Sequence, residues 1–185
     1  MSINFKEREK MVVVMKKVSE NYVINAKKAR KEWPGALVLD VTLEGAMGRL
    51  DPAFPVGGVI IPGREKWRGL SVKGVFEGMK VFERRKMIDE SFFFDEKKLG
   101  KTRGCKSYGK LLGVRVGEET LEGMEKVREV YENLYRGTVS EKFEKWLESL
   151  RKEKEKKTIV LLDYAEEGEM RSHAEILKEM IEMEP

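Results

Sequence analysis

Four cations set among three glycines, Lys101, Arg103, Lys106 and Lys110 with Gly100, Gly104 and Gly109, form the chain's most evident cluster of anion-binding chemistry. Glycine turns free backbone N–H groups, and together with Lys and Arg heads these can hold a phosphate. The stretch Leu99-Gly-Lys-Thr-Arg-Gly-Cys-Lys-Ser107 is nevertheless no triphosphate-binding P-loop. That loop needs four residues between its first glycine and Gly-Lys-Ser/Thr; here only three residues separate Gly100 from Gly104, and Cys105 splits Gly104 from Lys106. An ordinary basic surface loop accounts for these residues equally well. His173 follows Ser172, a residue type that caps helices, and is the one side chain that ordinarily titrates near neutral pH. Nothing in the sequence brings it to Cys105 as a nucleophilic pair. Asp163 leaves the end of a strand, a position that often lines a cleft, although capping a turn is the commoner role.

Composition narrows the chemistry further. The chain has 185 residues, one domain's worth, so a single domain over 1–185 is expected. It is 41% apolar and 38% charged, enough to bury a core under the dense charged coat of soluble and, in excess, heat-adapted proteins. With one cysteine and one histidine, an internal disulfide and multi-ligand Cys/His metal sites are excluded. Any reaction must run on carboxylates, lysines, arginines, hydroxyls or aromatics, and no cofactor or metal is expected. No apolar run approaches the ~20 residues that cross a bilayer, so no membrane partner is expected. The chain opens on Lys6, Glu7, Arg8, Glu9 and Lys10 rather than on a signal peptide, which predicts a cytoplasmic protein.

The net charge of +4 is unevenly spread. Residues 1–63 carry 10 Lys+Arg against 7 Asp+Glu, residues 64–115 carry 15 against 7, and residues 116–185 carry 12 against 19. The basic middle suits a phosphorylated small molecule such as a nucleotide or ADP-ribose, or a nucleic acid. Pairing of that middle with the acidic C-terminal third is the competing explanation.

Periodicity supplies the elements that must position these groups. Residues 11–18 are rich in β-branched side chains and read as a strand. Ser19 caps a helix facing inward with Tyr22, Val23, Ala26, Ala29 and Trp33, and residues 36–42 form a buried strand. Residues 43–70, with six glycines and three prolines, read as a long irregular loop, and loops of that length tend to be functional. Val72, Val75, Phe76, Met79 and Phe82 mark a helix over 71–83 capped by Ser71. A short helix over 87–99, a long one over 118–136, and a third opened by a Thr138/Glu141 capping box follow. Residues 159–164 form the clearest strand, and Ser172 with Glu175 opens the last helix. These elements predict an α+β domain, mainly helical, with two or three short strands.

Residues 49–89 carry a resemblance. Arg49-Leu-Asp-Pro-Ala-Phe-Pro55, then Gly63 and Ser71-Val-Lys-Gly-Val-Phe-Glu-Gly-Met-Lys80, resemble a family of microbial and phage proteins of similar length with a Ser-Pro-Phe-Tyr-Pro-type turn before a Ser-Val-Glu-Gly-type helix. Tyr131-Glu-Asn-Leu-Tyr135, Leu161-Leu-Asp-Tyr164 and Ser172-His-Ala174 match its later landmarks, but the family brings no known activity. Over about forty residues the turn and helix also resemble the NADAR (YbiA-like) N-glycosidase domain. Ser71, Val72, Phe76 and Lys80 hold similar residues at corresponding positions, and Pro55 ends the turn. Lys73 stands where that domain has a glutamate implicated in its chemistry, Gly74 where it has a histidine, and Glu77 where it has a glutamine.

The NADAR resemblance implies a YbiA-like fold and cleavage of an N-glycosidic bond in a nucleotide or ADP-ribose adduct. Such a reaction needs a carboxylate beside an oxocarbenium-like sugar, a base to prepare water, and cations on the phosphates. Under it Glu77 takes the place of the missing glutamate, with Asp89 as the second catalytic carboxylate and Glu83 and Asp51 in reserve. Lys80, Lys101 and Arg103 hold phosphates and Lys73 is a further ligand-binding residue, whereas a module that only binds needs cations and a stacking aromatic such as Trp67 or Phe76. The alternative is a non-catalytic module binding a nucleotide, ADP-ribose or RNA through residues 64–115. The readings part on Glu77: a solvated carboxylate paired only with Lys73 in an i,i+4 surface pair would remove the enzyme's centre.

Overall fold

The structure, a computed structural model, describes residues 10–164 and 170–183; the opening charged residues Lys6 to Glu9 lie outside them. The elements are β1 (Val12–Lys16), α1 (Tyr22–Glu32), β2 (Leu37–Asp40), β3 (Val59–Ile61), β4 (Arg64–Gly69), α2 (Val72–Met79), β5 (Lys80–Phe82), α3 (Ser91–Phe94), α4 (Cys105–Tyr108), β6 (Leu111–Val116), β7 (Glu119–Glu122), α5 (Met124–Lys154), β8 (Ile159–Asp163) and α6 (His173–Glu182). The domain is α+β, as expected, but its described residues hold eight short strands rather than two or three. They make a parallel sheet ordered β1-β8-β2, a β3-β4 hairpin and an antiparallel β5-β6-β7 sheet.

The parallel sheet is the centre. All five residues of β8 are buried, and a strand covered on both faces needs the near-continuous apolar run Ile159-Val-Leu-Leu. Strand alternation sends Val160 and Leu162 toward Ala26 and Ala29 of α1. Ile159 and Leu161 turn the other way, into the larger core with Leu134 and Tyr135 of α5 and Ile176 and Leu177 of α6. Asp163 shares the parity of Leu161, so it leaves the sheet on the side of α5 and α6. The strands pair in register Lys16 with Asp163 and Asp40 with Leu162, so their carboxyl ends form one edge.

Several elements depart from the periodic reading, among them the expected 118–136 helix, which starts only at Met124 because residues 119–122 form β7. Asn21, not Ser19, caps α1, its Oδ1 accepting from Val23 N at 2.9 Å, and Tyr22 and Val23 face out while Asn25 is buried. The 43–70 stretch is not irregular throughout: residues 59–69 pair as β3-β4 around Gly63 (φ +74°), where a side chain would meet the Gly117 backbone. Helix α2 stops at Met79, and Lys80–Phe82 joins β6; of the expected 87–99 helix only Ser91–Phe94 and a 3-10 turn at Glu96–Lys98 form. Thr138 caps nothing, since its Oγ1 donates to Leu134 O at 2.8 Å inside a continuous α5 that kinks later, at Phe143.

Candidate functional site

The carboxyl edge of the parallel sheet, one face of α2 and the first third of α5 enclose a cleft of about 450 Å3. Glu77, Lys73 and Lys80 line one wall from the α2 side, Asp163 and His173 another from β8 and α6, and Asp51 a third from the 43–58 segment. Phe76, Tyr131 and Tyr164 supply aromatic surface, with Phe76 and Tyr131 rings 5.0 Å apart.

Helix α2 places the first wall. Ser71 caps it by accepting from Gly74 N at 3.0 Å, and its apolar face, Val72, Val75, Phe76 and Met79, is buried. Gly74 lets the helix approach α3: a Cβ there would stand 2.6 Å from Phe92 O, so no side chain fits where the NADAR motif has histidine. Glu77 is 3% exposed and does not pair with Lys73. Its Oε1 receives Lys80 Nζ at 2.6 Å, and its Oε2 receives the Arg103 backbone N–H at 2.8 Å. Both oxygens are thus engaged, which makes Glu77 a fixed, buried negative charge on the cleft wall.

Lys80 also lies over the Phe76 ring, 4.9 Å from its centroid, while Lys73 has no ion pair among the described residues. The Lys73 backbone N–H donates to Pro52 O at 2.7 Å, tying α2 to the proline turn.

The second wall is a carboxylate–imidazole pair. His173 Nδ1 lies 3.4 Å from Asp163 Oδ2, and its Nε2 lies 3.1 Å from Val41 O. Asp163 further accepts from Tyr164 N at 2.8 Å and Ala174 N at 3.4 Å, and so closes the start of α6 together with Ser172, whose Oγ accepts from Glu175 N. Tyr135 packs its ring 6.0 Å from His173 and donates to Leu50 O at 2.9 Å. Burial, and then the charges of Asp163 and Asp51, push the Tyr135 hydroxyl well above its usual pKa.

On the opposite face of the same sheet edge, Lys17 is buried against Asp40 at 2.9 Å. Thr42 Oγ1 accepts from Lys17 Nζ at 2.9 Å and donates to Asp40 Oδ1 at 2.6 Å. Lys17 stands 4.6 Å from the Tyr164 ring centroid. Burial works against its charge, but Asp40 and Tyr164 outweigh it and raise the Lys17 pKa above the usual range. A Cβ at Gly45 would stand 2.4 Å from Asp40 O, so only glycine lets this loop close over the pair.

Four expected site residues fall elsewhere. Asp89 sits just before α3, accepting from Ser91 N at 3.3 Å and lying 3.8 Å from Lys98; burial opposes its charge, yet Ser91 and Lys98 hold its carboxyl below the usual range. It does not line the cleft. Trp67 sits on the hairpin beside Phe94 and Arg64, so the cleft's aromatics are Phe76, Tyr131 and Tyr164 instead. Lys101 is exposed and only its neighbour Thr102 lines the cleft. Arg103 cannot hold a phosphate: its side chain is 2% exposed and donates to the carbonyls of Lys80 at 2.7 Å, Glu77 at 3.2 Å and Gly78 at 3.3 Å. It is the C-terminal clamp of α2. The sequence reading also missed the Lys17–Asp40 pair; its only trace was a polar residue at each strand's carboxyl end.

Comparison with known families then places the chain. A model of the family of unknown function DUF6939 matches residues 21–179, and the chain belongs to that family. No curated protein matches it. The matched region runs from the start of α1 to within the last turns of α6 and so includes every residue that lines the cleft. No described helix is long and apolar enough to cross a membrane, and the described residues hold no cluster of three or more metal-ligating side chains.

Proposed function

We propose that this protein is an N-glycosidase that hydrolyses the bond between ribose and base in a phosphorylated riboside, a nucleotide or an ADP-ribose adduct. The observation that carries the reading is Glu77, a buried carboxylate fixed in a cleft of small-molecule size beside two lysines. Breaking the C1′–N bond leaves positive charge on the sugar, and an immobile anion next to C1′ stabilises that charge without having to reorient. Water then adds to C1′, and the departing base takes up a proton. Lys73 and Lys80 would hold the phosphates, and Tyr131 or Tyr164 the base. The NADAR resemblance supports the same reaction: Ser71, Val72, Phe76 and Lys80 lie on the helix that carries Glu77, and the steric limit at Gly74 accounts for one departure from that motif. Action on nucleotides fits a cytoplasmic location.

A second reading, binding of a nucleotide, ADP-ribose or RNA without chemistry, rests on a different surface. Arg84, Arg85, Lys86 and Lys106 are exposed, and no ion pair holds them among the described residues. Their segments adjoin, with Arg84 N donating to Tyr108 O and Glu83 N to Lys110 O.

Incubation of the protein with ADP-ribosylated guanosine, nicotinamide mononucleotide and unmodified nucleotides, followed by chromatography for free base or, from the adduct, free guanosine, tests the choice. Such release supports the glycosidase. Salt-sensitive binding with no release supports the second reading.

A further inference from the structure

The proposed reaction needs a proton for the leaving base, and Glu77 is poorly placed to carry it, because both its oxygens already accept from Lys80 and Arg103. A different group on the cleft wall has a proton to give. The His173 Nε2 partner is the Val41 carbonyl, which can only accept, so Nε2 carries a hydrogen. The other ring nitrogen, Nδ1, faces Asp163 Oδ2 at 3.4 Å. A bare Nδ1 lone pair against a bare carboxylate would be two acceptors facing each other in a buried site. Burial makes that arrangement costly, since Asp163 and His173 are 3% and 4% exposed. A hydrogen on either atom removes that repulsion, and both residues line the cleft.

We propose that the Asp163–His173 pair is the proton donor to the leaving base, which rests on the glycosidase reading above. As the C1′–N bond breaks, its electron pair stays on the base nitrogen and takes the proton held between Nδ1 and Oδ2. The water that adds to C1′ loses a proton, which restores the pair. Overall one water is consumed, and sugar hydroxyl and free base are formed. The two acidic residues thereby divide the work, Glu77 supplying fixed charge and Asp163 with His173 the mobile proton.

The groups that set the pair's proton come from every side. Lys17 from the end of β1 donates its backbone N–H to Asp163 O, and Tyr164 follows on β8. Tyr131 and Tyr135 face it from α5, Asp51 from the proline turn, and Lys73, Glu77 and Lys80 from across the cleft. Glu175 lies in the first turn of α6 itself.

His173 is the chain's one histidine, so its ring can be read without assignment. Two-dimensional 1H–15N spectra of wild-type protein should show a hydrogen on Nε2 and a protonated or proton-sharing Nδ1 at neutral pH, with Nδ1 reverting to a bare acceptor in Asp163→Asn. A bare Nδ1 in wild type overturns the proposal. The catalytic half is read by the leaving group. His173→Gln and Asp163→Asn should slow release of a purine base by about 10²–10⁴-fold, the usual worth of a general acid. Release of 4-nitrophenolate, which needs no protonation, from the corresponding phosphorylated riboside should change less than about threefold on the same scale. Equal losses on both substrates mean a structural role and overturn the donor assignment. Cleavage of neither substrate by wild type takes down the glycosidase reading together with the donor role; the spectra, being independent of turnover, show whether the pair's proton was also misplaced.

Discussion

Arg103 holds Glu77 twice: its backbone N–H meets the Glu77 carboxylate at 2.8 Å, and its guanidinium meets the Glu77 carbonyl at 3.2 Å. The segment after Lys101 thus fixes both the side chain and the helix end that presents it. Burial pulls the Arg103 guanidinium down from its ordinary range, with Asp89 opposing, and its Nε finds no partner among the described residues. Replacing it should therefore loosen the whole wall. Arg103→Met takes one charged donor from the carbonyls of Glu77, Gly78 and Lys80, the first two keeping the backbone N–H of Lys80 and of Asp89, and should cost about 1.5–3 kcal/mol, the range for a hydrogen bond to a charged group, seen as a lower urea midpoint.

Lys73 and Lys80 should separate kinetically. Lys73 is free of ion pairs among the described residues, so its loss removes a phosphate contact made equally in the ground and transition states. Lys73→Met should raise KM roughly 10-fold with kcat nearly unchanged, the worth of one charged hydrogen bond. Lys80→Met also frees the Glu77 carboxylate and should lower kcat as well. Steady-state kinetics on the best riboside distinguishes the two patterns.

Gly78 limits how closely α2 meets α3. A Cβ there would lie 2.3 Å from Phe93 Cε1, and Phe93 is fully buried. Gly78→Ala should destabilise by about 1–3 kcal/mol through overpacking, measured as a shift in the urea midpoint at constant slope.

The buried Lys17–Asp40 pair gives a pH signature of opposite sign to acid denaturation. Its folded pKa is raised, so its contribution is complete below the unfolded lysine value of about 10.4 and is lost as pH rises through the higher folded value. Lys17→Met strands the Asp40 carboxylate and should cost about 3–5 kcal/mol at neutral pH. Urea melts between pH 8 and 11 should show wild type losing stability at the alkaline end and the variant staying flatter.

Much of the cleft's frame was legible from periodicity. The Ser71 cap, the buried stripe of α2, the apolar run of β8 and the Ser172 cap all appear where spacing puts them. The hairpin Val59–Gly69 was hidden because Arg64, Glu65, Lys66, Trp67 and Arg68 are mostly exposed, so no alternation marks the strand. Arg103 misled for a physical reason: a cation between glycines reads as a surface donor, and only tertiary contact turns it inward to helix carbonyls. The Asp163–His173 contact joins a strand end to a helix start across nine intervening residues, which no local pattern encodes.

The most direct test of the glycosidase is the rate of guanosine release from ADP-ribosylated guanosine by wild type and Glu77→Gln, each first shown to be folded by circular dichroism. Glutamine keeps the shape and removes the charge, so the predicted result is release by wild type and a fall of about 10²–10³-fold in the variant, the range for loss of one preorganised electrostatic group. Equal rates in the two proteins, or no release by wild type, would contradict the role of Glu77.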